Sequence, residues 1–327
     1  MPMKAIDVHN HFYPPSYLKA LKEGSGVAKV AEDADGNYIL SYEGDYNVIV
    51  PGHRDIAYRL EAIEEAGIEA QVLSLTTPGV HIEEKNRGIA LAKKANDDFA
   101  EIAKKYPGRF YALAALPLQA PEAAAEELER SVKELGLKGG TLFTNVDGKM
   151  LDDPSFEPIF QKAEELDAPL FLHPTTPKPA DNFLDYRLAA TLGFAFDTTL
   201  AVARLIFSGL LDRVPGVKLV ASHLGGCLPY LAERLDRGYE AFPECKGISK
   251  SPSAYIAEVY IDCVSFNPLA VDFARKVVGA DHMMAGSDYP HQIGSLTKCT
   301  AVIEALDAPA SEKEKILGGN AKALFKM

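Results

Sequence analysis

Ala5-Ile6-Asp7-Val8-His9-Asn10-His11 is the stretch on which the reading of this chain turns. It closes the short run Met3-Lys4-Ala5-Ile6 with two histidines flanking one residue. Side chains at i and i+2 of an extended strand share a face, so His9 and His11 present two imidazoles together. Such a pair suits a divalent metal ion. A His-x-His also arises from ordinary packing, and the other histidines decide between the two readings. His173 ends Ala168-Pro169-Leu170-Phe171-Leu172, His223 ends Val217-Lys218-Leu219-Val220-Ala221-Ser222, and Asp288 ends His282-Met283-Met284-Ala285-Gly286-Ser287. Imidazoles and a carboxylate at the C-terminal ends of apolar strands describe an open metal site in the mouth of a barrel.

Strand-like and helix-like patterns alternate eight times outward from there, with strand candidates at 5–12, 70–76, 110–118, 137–144, 168–174, 217–223, 259–266 and 282–288. Ile56, Leu60 and Ile63 share a helical face, as do Ala125, Leu128, Val132 and Leu135. Gly67, Pro107-Gly108 and Gly136 end helices, and Pro121 and Pro154 open them. Strands that are apolar almost throughout imply burial on both faces and a parallel sheet. Eight such units predict a (β/α)8 TIM barrel, a single domain over residues 1–327. One interruption, residues 24–53, carries Asp35-Gly36 before Asn37-Tyr38-Ile39-Leu40-Ser41-Tyr42 and predicts a hairpin inserted after strand 1, able to cover the mouth. Barrel active faces lie at the strand C-termini, and strand 8 neighbours strand 1. His9, His11, His173, His223 and Asp288 therefore meet at one end.

The 327 residues suit an undivided barrel, and 47% hydrophobic content supplies its core. A formal charge of −12 argues against nucleic-acid and anionic-membrane partners while leaving room for a small anionic substrate in a locally cationic pocket. Cys227, Cys245, Cys263 and Cys299 are scattered, with no thiolate metal spacing, which fits a reducing cytoplasm. No signal peptide is read at the N-terminus, and no uninterrupted apolar window reaches the length of a membrane span.

The ligand pattern resembles the amidohydrolase superfamily. The likeness is nearer to its decarboxylase-type branch, which includes the carboxymuconate-semialdehyde and γ-resorcylate decarboxylases. It rests on Ile6–Phe12, Leu73-Ser74-Leu75-Thr76-Thr77-Pro78-Gly79-Val80, Leu116-Pro117-Leu118-Gln119, Leu172-His173-Pro174, Ser208-Gly209-Leu210-Leu211-Asp212-Arg213-Val214-Pro215, His223-Leu224-Gly225-Gly226 and Gly286-Ser287-Asp288-Tyr289-Pro290, in this order along the chain. The resemblance implies that His9, His11, His173 and Asp288 ligate one divalent ion, Zn2+ first and Mn2+ second. It implies that His223 and Asp288 carry protons, and that Arg234 binds substrate carboxylate, in some members across a subunit interface. Dinuclear members carry a bridging lysine at the end of strand 4, where this chain reads Gly140-Thr141-Leu142-Phe143-Thr144-Asn145, so one metal is expected. Resorcylate enzymes have glutamate at the position of His9, whereas a second substrate arginine of the semialdehyde enzymes falls on Asn47.

Each residue also has a plainer role. Asp288 could cap a helix, His223 could brace the Gly225-Gly226 turn, and Arg234 could form a surface salt bridge. His291 is expected to line the pocket, His53, Arg54 and His81 to approach it, His282 to be structural at the far end, and Asp7 to orient ligands. The function expected is metal-dependent, non-oxidative decarboxylation of a small hydroxy- or amino-substituted aromatic or muconate-like acid. The alternative is hydrolysis of a lactone, ester or amide by activated water, and a third class is a non-enzymatic scaffold, which the intact ligand set disfavours. Tyr230, Leu231, Leu235 and Tyr239 on one helix, with the resemblance, predict a homo-oligomer, dimer or tetramer.

Overall fold

The computed structural model of the protein describes residues 5–24, 26–34, 36–43 and 45–327. Met3, Lys4 and Asp35 of the stretches quoted above lie outside them. The barrel strands are β1 Ala5–His11, β2 Ile68–Ser74, β3 Phe110–Ala112 continued by Ala114–Ala115, β4 Gly140–Phe143, β5 Leu170–His173, β6 Leu219–Ala221, β7 Tyr260–Asp262 and β8 Met283–Met284. Each pairs in parallel with the next along the chain. The ring is completed beyond the short β8: Val8 N donates to Ala285 O at 3.0 Å, Asp288 N to His9 O at 2.8 Å and His11 N to Tyr289 O at 2.8 Å. Inside it Ile6, Val8, Val72, Leu113, Phe171, Val220 and Met284 form one buried cluster, joined by Ala321, Leu324 and Phe325 of the C-terminal segment. A larger cluster fills the space between strands and helices.

β1 departs from simple alternation. Its register against β2 runs Asp7↔Gln71 and then Asn10↔Leu73, three steps on one strand against two on the other. That extra residue is a bulge. Ile6 and Val8 pack in the interior cluster, and the bulge lets His9 and His11 also face inward while Asp7 and Asn10 bond to groups behind the strand.

The insertion is larger than a hairpin. Lys29–Glu32, Tyr38–Tyr42 and Asp45–Ile49 form a three-stranded antiparallel sheet. Its third strand escapes the sequence pattern because Asn47 takes a buried position where an apolar residue is expected. Asn47 Nδ2 donates to Tyr13 Oη at 2.8 Å and Thr77 O at 2.9 Å, which anchors the insertion over β1 and β2.

The helix predicted from Ile56, Leu60 and Ile63 spans Ile56–Glu65, with Asp55 accepting from Ala57 N and Tyr58 N at its start. The sequence holds no uninterrupted apolar window of membrane-span length, yet one helical segment is long enough and apolar enough on average to cross a membrane. Asp185–Phe207 has that length and composition, its most apolar 18-residue window having a mean hydropathy of 1.4. Its Asp197 is buried and accepts from Thr144 Oγ1 and from Asn145 Nδ2, which ties this segment to the barrel.

Candidate metal centre and active site

His9 and His11 end β1, His173 ends β5, and Asp288 follows β8; all four are buried. The nitrogens of His9, His173 and His223 and an Asp288 oxygen lie within 4.8 Å of one another, as do those of His11, Asp288 and His291. Of the residues predicted as ligands, proton carriers or substrate contacts, all but Arg234 therefore meet at one end of the barrel.

Hydrogen bonds fix which ring nitrogen points inward. His9 Nδ1 donates to Asp262 Oδ2 at 2.6 Å and His173 Nδ1 to Pro174 O at 2.8 Å. Ser74 Oγ spends its proton on Asn10 O at 2.9 Å, so at 3.3 Å it accepts from His11 Nδ1. All three rings turn Nε2 toward the centre. His9 Nε2 and His11 Nε2 are 3.1 Å apart, and His11 Nε2 is 3.1 Å from Asp288 Oδ1. Electron-pair donors meeting this closely share either a proton or a cation. Ligands about 2.0–2.1 Å from one tetrahedral ion sit roughly 3.3 Å apart, so the spacing suits a metal.

At three of the four ligands the electrostatics agree. Burial holds His11 and His173 well below the usual imidazole range. Burial would lower His9 too, but Asp262 against its Nδ1 raises it above the ordinary value. Burial would raise Asp288, yet the bonds to His11 and His223 hold it well below the carboxylate range. Neutral His11 and His173 and an ionised Asp288 are the forms a metal takes, whereas His9 has to release its Nε2 proton as a metal binds.

His223 differs from the other histidines. Its Nδ1 is buried without a partner among the described residues, and its Nε2 lies 3.7 Å from Asp288 Oδ2. No acceptor locks its tautomer, which suits proton transfer better than ligation. It sits in a left-handed turn, φ 53° at His223 and 60° at Leu224, followed by Gly225 and Gly226. A Cβ on Gly225 would come 2.9 Å from Ile261 Cγ2, and one on Gly226 2.3 Å from Ala195 O. Both backbone approach and positive φ require glycine there.

Two groups passed unremarked in the sequence. Asp262, on β7, is fully buried and accepts from His9 Nδ1, from His223 N at 3.1 Å, Leu224 N at 3.2 Å and Val264 N at 2.8 Å. Burial would raise it, but His9 beside it keeps it below the usual range. Its signal was a carboxylate inside an apolar strand. Arg187 is the second. It lines the pocket in front of the histidines, with Asn47, Val48, Phe194, His291 and Ile293. Its Nη1 pairs with Asp45 at 2.7 Å, and its guanidinium lies 4.1 Å from the Tyr46 ring centre.

The remaining candidates divide. His291 lines the pocket, with Nε2 3.2 Å from Thr76 Oγ1. His53 is buried behind it, ring centres 5.1 Å apart. His81 faces a separate cavity with its ring centre 4.3 Å from that of Phe143, the two rings tilted by 32°, and Arg54 turns away over Tyr38. His282 packs on Tyr260 away from the cluster. Asp7 accepts from Ser287 and Gln71 behind the ligand strand. Arg234 is exposed on the helix Leu228–Ala241 and does not reach this pocket within its own chain, because its helix turns Leu228 and Ala232 inward instead.

The comparisons with known proteins agree with this geometry. The amidohydrolase family model matches residues 6–327. The chain is 32% identical over 331 residues to 2-amino-3-carboxymuconate-6-semialdehyde decarboxylase of Dictyostelium discoideum, covering 97% of this chain and 90% of that one. It is 33% identical over 284 residues to γ-resorcylate decarboxylase of a Rhizobium strain, covering 82% and 86%. The 5-carboxyvanillate decarboxylase of Novosphingobium aromaticivorans, solved with manganese and 4-hydroxy-3-methoxy-5-nitrobenzoic acid, superimposes with a TM-score of 0.83 at 28% identity over 99% of this chain and 96% of that one. From a match over nearly its whole length and relatives above 30% identity that are named decarboxylases, the chain belongs to the amidohydrolase family, in its decarboxylase branch.

Proposed function

We propose that this protein is a metal-dependent, non-oxidative carboxy-lyase acting on a small hydroxy- or amino-substituted aromatic or muconate-like carboxylic acid. The observation that carries the reading is the convergence of three Nε2 atoms, each fixed by a bond at Nδ1, on one carboxylate at the floor of the pocket. His9, His11, His173 and Asp288 would hold one ion, zinc by its preference for nitrogen ligands, with manganese the alternative found in the solved relative. Bound there, a divalent ion would supply a Lewis acid that stabilises negative charge on the substrate's oxygens.

The chain's own groups supply the rest. Val48, Phe194 and Ile293 offer apolar walls for a flat ring and keep water from it. Loss of CO2 needs a proton on the carbon that bears the carboxylate. The electron pair of the breaking C–C bond then returns to the ring as CO2 leaves. His223 Nε2 and Asp288 Oδ2, 3.7 Å apart, are the pair placed to deliver that proton. Such acid–base steps contribute on the order of 10²–10⁴-fold. Arg187 is the cationic side chain of the pocket wall, suited to a second polar group on the substrate.

Leu192, Phe196 and Leu200 form an exposed apolar stripe at i, i+4, i+8, and Tyr230 is exposed on the helix that carries Arg234. This surface supports a homo-oligomer in which Arg234 serves a neighbouring site. Four free cysteines support a cytoplasmic location.

The test is CO2 release from γ-resorcylate, 6-methylsalicylate and 5-carboxyvanillate by protein of measured metal content, against ester and lactone controls. CO2 release that a chelator abolishes and Zn2+ or Mn2+ restores supports the reading. Acid release from the esters or lactones without CO2 would replace it by the hydrolase.

A further inference from the structure

Arg59 is the largest fully buried side chain among the described residues, and neither the metal cluster nor the pocket uses it. It sits on the helix Ile56–Glu65, on the face turned toward β1. A buried guanidinium is costly unless its donors are met. Here no carboxylate among the described residues touches it. Nε donates to Gly52 O at 3.0 Å, Nη1 to Asn10 Oδ1 at 2.8 Å and Gln71 Oε1 at 3.0 Å, and Nη2 to His11 O. The rings of Phe12 and Tyr289 lie 5.4 and 5.0 Å from its centre.

Three of these partners, Asn10, Gln71 and His11, bear on the bulge in β1 or the ligand that follows it. Between Asp7 and Asn10 the ladder to β2 is broken, so backbone pairing alone does not fix the two ligands. Side chains take over. Asn10 Nδ2 reaches back across the bulge to Asp7 O at 3.0 Å and to Val72 O at 3.2 Å. Gln71 Nε2 donates to Asp7 Oδ2 at 2.7 Å, and Asp7 Oδ1 accepts from His9 N at 3.2 Å and from Ser287 N at 3.0 Å. Arg59 joins both ends of this network, through Asn10 and through Gln71, and also grips the carbonyl of His11. Its bond to Gly52 O extends the same hold to the exit of the insertion. A lysine could keep the charge but not the planar fork that serves four acceptors.

We propose that Arg59 is a positioning residue: it holds the bulge that turns His9 and His11 together into the barrel mouth, and thereby sets metal affinity. This rests on the metal centre assigned above, and its readouts do not need turnover. The experiment uses Arg59→Met and Arg59→Lys beside the unaltered protein. For each, Tm of the metal-free form is measured, Zn2+ and Mn2+ affinity is obtained by chelator competition, and the visible spectrum is recorded with Co2+ bound. Arg59→Met should remain folded, bind metal about 10–100-fold more weakly, as for other groups behind ligands, and show an altered Co2+ spectrum. Arg59→Lys should fall between it and the parent. If Arg59→Met does not fold, Arg59→Lys carries the test alone. A folded variant with lowered Tm but the parent's affinity and Co2+ spectrum would overturn the proposal, leaving Arg59 a packing element. If the unaltered protein binds no metal, the metal centre itself fails, a different and distinguishable result.

Discussion

His9 Nδ1 donates to Asp262 Oδ2 across 2.6 Å, and this buried contact joins the ligand strand to the turn that carries His223. One carboxylate thus fixes the ring of a metal-ligand histidine and the backbone of the candidate proton carrier. The two roles are tied to a single residue of β7.

Asp262→Asn tests that link. An amide keeps the shape, but when its oxygen faces His9 its NH2 faces backbone N–H groups that also donate. We expect metal affinity to fall about 10–100-fold, read by chelator competition, with a further loss of kcat at saturating metal. Unchanged affinity would show that Asp262 serves the backbone turn alone.

His223→Ala separates proton transfer from ligation. The variant should keep near-normal metal content by elemental analysis, while decarboxylation falls by roughly 10²–10⁴-fold. Its unlocked Nδ1 is the reason to expect this split. Loss of the metal instead would move His223 into the ligand set.

Gly226→Ala tests the turn itself. The new Cβ would meet Ala195 O at 2.3 Å in a backbone at φ 61°, ψ −125°. We expect a loss of roughly 2–3 kcal/mol in urea unfolding. Activity should fall as well, because His223 stands at the head of the same turn. An unchanged midpoint would mean the turn relaxes without cost.

Much of this was legible in the sequence, for a physical reason. Metal ligands at strand ends carry an unusual residue type, His or Asp, at the close of an apolar run, and parallel strands buried on both faces read as such runs. The bulge was not legible. His9 and His11 share a face under plain alternation, so nothing betrayed the extra residue that lets Val8 and His9 both face inward. Arg59 hid inside a helix whose apolar positions already satisfied the pattern. Asn47 hid the third strand of the insertion by being a buried polar residue in place of an apolar one. Arg187 belongs to an irregular segment with φ of 57° and 59° at Tyr186 and Arg187, where periodicity says nothing.

The two arginines frame the last prediction. Arg187 lines the pocket from its own chain, held by Asp45 and by Tyr46 O at 3.1 Å, whereas Arg234 is exposed beside Tyr230. If both meet substrate, one acts in cis and the other in trans. Arg187→Met should then raise KM about 10-fold or more for 5-carboxyvanillate, which carries a second acid group, and much less for γ-resorcylate, since a charge-assisted bond contributes roughly 1.5–3 kcal/mol. Arg234→Ala should lower kcat/KM with metal content unchanged. Mixing Arg234→Ala with His223→Ala protein should restore part of the activity, because a hybrid dimer holds one site with both groups intact. The apolar stripe of Leu192, Phe196 and Leu200 predicts that such dimers form, and light scattering at assay concentration checks it. A monomer would refute the assembly. Verified hybrids without recovered activity would return Arg234 to its own chain's surface and leave Arg187 as the arginine that meets the substrate.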